Sequence, residues 1–405
     1  MARKRRAVKS QPIKPWQILL LVLAIGAGYL YEQGFFDRWL KDTDWARNPT
    51  ATPGSPQSPG TGGAPGPEVD VPRAYVTAGE WYQVYFTRPD YPEKAANRTG
   101  GVDAAVIADI DAAQSSVRIA VFEFDVPALT DALLRAKKRG LTVEMVVDAD
   151  NLEAAQGAEE MGRIEAAKIP VTYDERTAFM HNKIVLIDDK VVWAGSMNLK
   201  QTEIYRNNNN FLRIGVPQLV DNYRQRFADL FAGRMGGNAP ANTPNPVIKL
   251  DGGVVIENYF SPSDGARAHL LRYLAGAKKS VRMLAFSFTD DATAEQLVAL
   301  HKAGVDVQVV MEARSETGTG SEFGVLQKAG INILADGNCY IQHNKVFIID
   351  ERTVVTGSYN FTGAAEDSND ENMLIITDPN LAKTYLENFD RIQQQAINPT
   401  RCGGS

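Results

Sequence analysis

An 18-residue pattern occurs twice in this chain and constrains its fold more than any other feature. The first copy, HNKIVLIDDKVVWAGSMN, begins at His181, and the second, HNKVFIIDERTVVTGSYN, begins at His343. Both read His-x-Lys, four residues, Asp, six residues and then Gly-Ser-x-Asn, although the whole chain contains only 4 histidines. At average residue frequencies, one chance match to these fixed positions has odds of about a few in a million. The two copies therefore indicate a duplicated unit.

The duplication extends beyond this pattern. SVRIAVFEF from Ser116 aligns with SVRMLAFSF from Ser280 at an offset of 164 residues, and the histidine patterns align at an offset of 162. Alternating apolar runs predict strands at Val117–Phe124 and Thr142–Asp148, and helical stretches lie around them at Val106–Ala113 and Ala128–Arg139. We therefore predict an α/β fold of two tandem α/β/α sandwich halves with pseudo-twofold symmetry, residues 75–240 and 248–398.

The first 72 residues differ in composition from the rest. A basic segment, residues 1–14, precedes residues 15–31, which carry no charge and approach the length of a membrane-spanning helix. The basic flank should stay cytoplasmic, which predicts a single-pass anchor in a bacterial-type cell membrane with the remaining chain outside the cytoplasm. A cleaved signal peptide, giving a secreted protein, is the alternative. Residues 49–72 contain seven Pro and five Gly and are predicted to form a disordered linker.

Charge and cysteine content limit the partners further. The formal net charge is −6, and the residues after Asn48 include 34 basic and 45 acidic side chains. An acidic body argues mildly against a long nucleic-acid groove, because such grooves bind by neutralising phosphates. Two cysteines, Cys339 and Cys402, do not make a disulfide framework. We expect a free thiol at Cys402, with a bond between the two as the alternative.

Within each copy, the residue types suit a phosphate group. Residues two apart on a strand share a face, so His181 should lie beside Lys183, and His343 beside Lys345. Histidine provides a nucleophile or a proton, and lysine stabilises negative charge. Side chains of the following turns offer hydroxyl and amide groups to phosphate oxygens, which makes candidates of Ser196, Asn198, Ser358 and Asn360. Two such sites predict one shared cleft, without a metal, because no second His or Cys stands at ligand spacing.

Both copies resemble the motifs of the phospholipase D superfamily, and the resemblance covers residues 81–396. It implies a phosphohistidine intermediate, hydrolysis or transfer at phosphodiesters, no metal or other cofactor, and an active site between two α/β halves. The second half, from Tyr259 through NDENMLII, is most similar to the branch of small bacterial endonucleases and mitochondrial cardiolipin hydrolases. Members of that branch usually supply one motif each and dimerise. Because this chain has both motifs, we expect a monomer without an obligate protein partner.

In that family an acidic residue, thirteen positions after the motif serine, often orients the histidine. The second half has Glu371 there, whereas the first half has Asn209. A carboxylate raises the pKa of an imidazole and suits a general acid, whereas an amide fixes the tautomer without adding charge. We therefore predict that Asn209 orients His181 as the nucleophile, and that His343 beside Glu371 is the acid and then the base. The remaining catalytic candidates, for which opposite strand parity favours a structural role, are Asp188 and Asp350.

Three functions fit these features. The first is a phospholipase D-type phosphodiesterase acting on phospholipid headgroups, which suits an enzyme anchored near a bilayer. The second is a metal-independent extracytoplasmic endonuclease of DNA or RNA, which the similarity of the second half favours and the acidic charge does not. The third is a non-enzymatic protein that binds a phosphate ligand, which two intact motifs argue against. Substrate choice depends on loops that a single sequence does not decode.

Overall fold

The computed structural model describes residues 70–402, and these form two halves with the same sequence of elements. The first half contains β1 Ala74–Ala78, β2 Tyr82–Thr87, α1 Val102–Ala112, β3 Ser116–Val121, α2 Pro127–Lys138, β4 Thr142–Asp148, α3 Ala155–Ala166, β5 Val171–Asp174, β6 Lys183–Ile187, β7 Val191–Gly195, α4 Gln201–Tyr205, β8 Asn210–Ile214 and α5 Pro217–Phe231. The second contains β9 Val247–Lys249, β10 Val255–Ser261, α6 Ala266–Ala275, β11 Ser280–Ala285, α7 Asp291–Lys302, β12 Asp306–Met311, α8 Phe323–Lys328, β13 Asn332–Ala335, β14 Val346–Ile349, β15 Thr353–Gly357, α9 Gly363–Asp367, β16 Glu371–Thr377 and α10 Pro379–Ile397.

Each half is built on one eight-stranded mixed sheet. The strand order is β1-β2-β8-β7-β6-β3-β4-β5 in the first half and β13-β12-β11-β14-β15-β16-β10-β9 in the second. In each sheet only the three strands at one end, β3–β5 and β11–β13, are paired in parallel; the other neighbours are antiparallel. The two orders are the same when read from opposite ends. The predicted α/β class and the predicted repetition are therefore confirmed.

Three apolar clusters hold these layers together. One outer cluster packs α1, α2 and α3 on the first sheet, and another packs α6, α7 and α8 on the second. A third cluster lies between the halves and includes Tyr223 and Phe227 of α5 and Tyr385 and Phe389 of α10. Phe86 of β2 meets Tyr385 edge-on, with ring centroids 5.0 Å apart. Because buried aromatic rings contribute large apolar areas, this shared layer fixes the halves against each other.

The motif strands begin later than the motifs themselves. β6 starts at Lys183 and β14 at Val346, so both histidines precede their strands. The reason lies in the backbone hydrogen bonds of the histidines, which cross to the other half. His181 N donates to Asp370 O at 3.0 Å, and His343 N donates to Asn208 O at 2.9 Å. The sheet pairing predicted for these residues is thereby replaced by pairing across the cleft.

Two predictions concern the chain ends. The predicted membrane segment, residues 15–31, and the linker up to residue 69 lie outside the described residues. Between residues 70 and 402, no helix combines the length and the apolar character needed to cross a membrane. Cys339 and Cys402 are both disulfide-bonded, so the expectation of a free thiol was wrong. The reason is that the end of the chain folds back, with Thr400 N donating to Gly337 O at 3.3 Å.

Candidate active site

The two histidines and two lysines of the motifs lie in one buried site. His181 is 7% exposed and His343 5% exposed, and both lysines are essentially buried. Each lysine Nζ donates to the carbonyl oxygen of its own motif histidine, Lys183 to His181 and Lys345 to His343, both at 2.7 Å. Burial, and then the charge of Lys183, lowers the pKa of Lys345 well below its ordinary value. The charges of the two lysines therefore act on each other within the site.

In each half, one phenylalanine packs against the motif histidine of the same half. The rings of Phe122 and His181 meet edge-on at 5.4 Å, and those of Phe286 and His343 at 4.7 Å. Lys183 Nζ lies 5.5 Å from the first phenyl ring and Lys345 Nζ 4.8 Å from the second. The motif itself does not predict this contact, although Phe122 and Phe286 occupy equivalent positions in the repeat and could have been recognised by that. The phenyl rings pack against the imidazoles, both of which are buried.

The partners of the two histidines are exchanged between the halves relative to the prediction. Glu371 Oε2 lies 2.7 Å from Nδ1 of His181, not from His343. Asn209 Oδ1 lies 3.0 Å from Nδ1 of His343, not from His181. The physical reason is the crossing of the backbone: Asp370 O, next to Glu371, accepts the His181 N–H. The predicted orienting pairs were therefore wrong, and the reason for naming His181 the nucleophile no longer holds.

A second carboxylate, which the sequence analysis missed, lies beside His343. Glu203 Oε2 is 3.0 Å from Nδ1 of His343 and accepts from Asn209 Nδ2 at 2.5 Å. Burial raises the pKa of Glu203, but His343 and Asn209 lower it further, so that it lies well below its ordinary value. Because both Nδ1 neighbours of His343 accept hydrogen bonds, that nitrogen carries the proton, and Nε2 holds the lone pair. The same reasoning applies to His181 beside Glu371.

Burial and the two lysine charges favour neutral histidines. Burial lowers the pKa of His343 to about 4, with Lys345 and Lys183 acting in the same direction. Burial is also the main reason that the pKa of His181 is lowered and that the pKa of Lys183 falls to about 8. Each of these shifts disfavours positive charge. A bound anion offsets this, so proton uptake by an imidazole is expected to accompany the binding of a phosphate group.

The turn residues of the motifs divide into two groups. Ser196 Oγ donates to Asn209 Oδ1 at 2.8 Å, and Ser358 Oγ accepts the Asn372 N–H at 2.9 Å. Both serines are fully buried and take part in these hydrogen bonds, and their contact with phosphate stays a prediction. By contrast, among the described residues no hydrogen-bond partner meets the buried amide oxygens of Asn198 and Asn360. Because an amide oxygen only accepts, the predicted contact with a phosphate oxygen would fall to Nδ2, and Asn198 Nδ2 donates to Glu123 Oε2 at 3.2 Å. That contact therefore stays a prediction.

The motif aspartates stabilise loops outside the site. Asp188 accepts the backbone N–H groups of residues 114–116 at 2.7–3.1 Å, and Asp350 those of residues 278–280 over the same distances. Both aspartates have positive φ, 55° and 52°, in the turns that join β6 to β7 and β14 to β15. Aspartate tolerates this conformation better than most residues. These contacts favour the structural interpretation over the catalytic one.

A family model confirms the relationship that the motifs indicated. The model described as "Cardiolipin synthase, PLD-like domain" matches residues 106–231 and 270–393. The chain belongs to this phospholipase D-like family. Both matched segments contain one complete motif, so the family relationship includes the whole site.

Individual relatives agree with this. A phospholipase D of Rickettsia typhi is 34% identical over 33% of this chain, and human mitochondrial cardiolipin hydrolase is 37% identical over 34%. These matches span 66% and 54% of the relatives' own lengths. The solved phospholipase D family member NUC from Salmonella typhimurium is 41% identical, covering 35% of this chain and 95% of that chain with a TM-score of 0.34. The phosphatidylserine synthase of Haemophilus influenzae, 14% identical, covers 80% of this chain and 88% of its own with a TM-score of 0.57, which shows similarity of fold.

Proposed function

We propose that this chain is a metal-independent phosphodiesterase of the phospholipase D type, which hydrolyses phospholipid headgroup esters through a phosphohistidine. The carrying observation is that a carboxylate from the other half meets Nδ1 of each buried histidine, Glu371 at His181 and Glu203 at His343. This arrangement gives both imidazoles a lone pair at Nε2 and a counter-charge for the protonated or phosphorylated form. A binding protein for phosphate has no need of two such groups.

The chemistry proceeds in two displacements. Nε2 of one histidine attacks phosphorus, the bond to the headgroup oxygen breaks, and the second histidine donates its proton to that oxygen. The headgroup leaves as an alcohol. The second histidine then takes a proton from water, the oxygen attacks phosphorus, and the phosphorus–nitrogen bond breaks to release phosphatidate. Lys183 and Lys345 stabilise the charge on the nonbridging oxygens throughout.

Phospholipid is the leading substrate for two reasons. Curated relatives at 34–37% identity carry the names phospholipase D and mitochondrial cardiolipin hydrolase. The predicted N-terminal anchor would also hold the catalytic halves near a bilayer. Phosphodiester chemistry at the two histidines is the same for nucleic acid, so the test includes both substrate classes.

The test uses the full chain, purified in detergent, with EDTA present. Vesicles of phosphatidylcholine or cardiolipin, single-stranded DNA and RNA are supplied separately, and His181→Ala and His343→Ala serve as controls. We expect headgroup release from vesicles, which both substitutions abolish. Enzyme trapped during turnover and kept at alkaline pH, where a phosphorus–nitrogen bond survives, should carry the phosphatidyl group on the attacking histidine. Cleavage of nucleic acid alone would favour the endonuclease. Loss of activity in EDTA would contradict the metal-free mechanism, and inactivity on every substrate would overturn the proposal.

A further inference from the structure

The two halves differ in where they carry the carboxylate for the opposite histidine. At the repeat offset of 162 residues, Asn209 corresponds to Glu371, and Glu203 corresponds to Ala365. The first half thus has glutamate in its short helix and an amide just before β8. The second has alanine at the matching position of its helix and glutamate at the start of β16. The carboxylate therefore stands at a different repeat position in each half. Each half retains a single carboxylate for the histidine across the cleft.

The contacts show how the exchanged residues work together. Asn209 Nδ2 donates to Glu203 at both the carboxylate, 2.5 Å, and the backbone oxygen, 3.0 Å. Its Oδ1 accepts from Ser196 and faces Nδ1 of His343 at 3.0 Å. The amide therefore uses both of its ends and fixes the carboxylate beside the imidazole. Glu203 is 6% exposed and belongs to a five-residue helix, Gln201–Tyr205, that follows the first motif directly.

We propose that Glu203 is a relocated positioning residue, which supplies to His343 the carboxylate that Glu371 supplies to His181. The inference rests on the proposed function for its catalytic meaning, because Glu203 acts through His343 and not on the substrate. It holds the Nδ1–H tautomer of His343 and stabilises the imidazolium when a phosphate group binds. The site then has two carboxylate–histidine pairs although its sequence repeat preserves only one.

The alternative is that Glu203 merely anchors Asn209 and the helix α4. The repeat supplies an experiment that separates these roles, since Glu203→Ala with Asn209→Glu recreates in the first half the arrangement of the second. We expect Glu203→Ala to lower kcat by about 100-fold or more, which is the usual contribution of acid–base catalysis. The double variant should recover kcat to within about tenfold of the parent chain. The second half provides matched controls. Glu371→Asn should lower kcat, and its combination with Ala365→Glu, which recreates the arrangement of the first half, should restore it.

A second readout does not depend on activity. With only 4 histidines in the chain, ¹⁵N-histidine NMR can report the tautomer of His343, assigned with His343→Gln. We expect Nδ1–H in the parent chain. In Glu203→Ala the Asn209 amide also loses the carboxylate that holds its Nδ2 end, so we expect that tautomer to be lost there and to return in the double variant. If Glu203→Ala fails to fold, the isosteric Glu203→Gln replaces it. The alkaline limb of its pH–activity profile should move to lower pH, because His343 loses the negative charge that raises its pKa.

The outcomes are distinguishable. An unchanged His343 tautomer in Glu203→Ala would overturn the relocation, whatever the enzyme assays give. Lost activity that the double variant does not restore, with the tautomer unchanged, would support the purely structural alternative. If instead the tautomer responds as expected but no phosphodiester is cleaved, the relocation stands and the proposed function fails.

Discussion

Asp370 is a buried carboxylate of the second half whose partners lie in the first half and in the segment that follows it. Its two oxygens pair with the guanidinium groups of Arg226 and Arg176, and both accept the Gly236 N–H at 2.9–3.0 Å. Its backbone oxygen accepts the N–H of His181. We predict that Asp370→Ala destabilises the fold strongly, because it leaves a buried cation without its counter-ion.

The size of the loss in unfolding free energy depends on the polar partners that each arginine keeps when Asp370 is removed. Arg176 is partly exposed and keeps a bidentate pair with Asp174, so the loss of its contact with Asp370 costs little stability. Arg226 is only 3% exposed; its remaining polar contact is Ser261 O at 3.2 Å, and its Nε has no partner among the described residues. Removing one member of such a buried pair costs about 3–5 kcal/mol, so we expect a loss of about 4 kcal/mol. That is a large share of a typical unfolding free energy.

The repeat provides the control. Asn208 occupies the equivalent position, and its backbone oxygen likewise accepts a histidine N–H, from His343 at 2.9 Å. Its side chain donates one neutral hydrogen bond, to Gln395 at 3.0 Å, so Asn208→Ala should cost only about 1 kcal/mol. Urea unfolding at pH 7 measures both values. The ion-pair argument is refuted if Asp370→Ala costs no more than Asn208→Ala. It gains support if Asp370→Leu with Arg226→Met restores much of the stability.

The repeat made most of the fold predictable. Thr142–Asp148 is a strand with the predicted bounds, while α1 extends from Val102 to Ala112 where Val106–Ala113 was predicted. Such shifts arise because periodicity marks the buried face of an element better than its ends. The motif histidines and lysines were also identified, since their types and spacing recur in both halves. What the repeat encodes within each half was therefore accessible from the sequence.

Contacts between the halves were not accessible in the same way. An alignment of the halves places Glu371 thirteen residues after its own serine, but it cannot tell which histidine that carboxylate faces. The answer depends on the backbone bond from His181 to Asp370, which crosses the cleft. Glu203 was invisible for a related reason, because its counterpart in the repeat is Ala365. Comparison of the two halves identifies residues that occur at the same position in both, but not a carboxylate that stands at a different position in each half.

Three further predictions test the remaining structural assignments. Asp188→Ala should lower the unfolding free energy by about 2 kcal/mol while leaving kcat within about twofold, because its carboxylate accepts only from the loop at residues 114–116; thermal melts and phosphodiester cleavage measure the two effects. Tyr223→Phe and Tyr385→Phe each remove one hydrogen bond to an interface asparagine, at 3.1 Å in both halves, so urea unfolding should give equal losses of about 1 kcal/mol. Acid should also destabilise the protein. Burial keeps the pKa of His343 at about 4 in the folded chain against 6.5 when unfolded, so the unfolded state binds the extra proton between these values. Stability is therefore complete above pH 6.5 and falls as the pH drops toward 4, by roughly 3 kcal/mol from this residue. The pKa of Glu203, lowered in the folded state, removes further stability below 4.5. Urea unfolding from pH 7 to pH 4 measures the slope, and His343→Gln should flatten it; an equal slope in that variant would show that the buried imidazole is not its source.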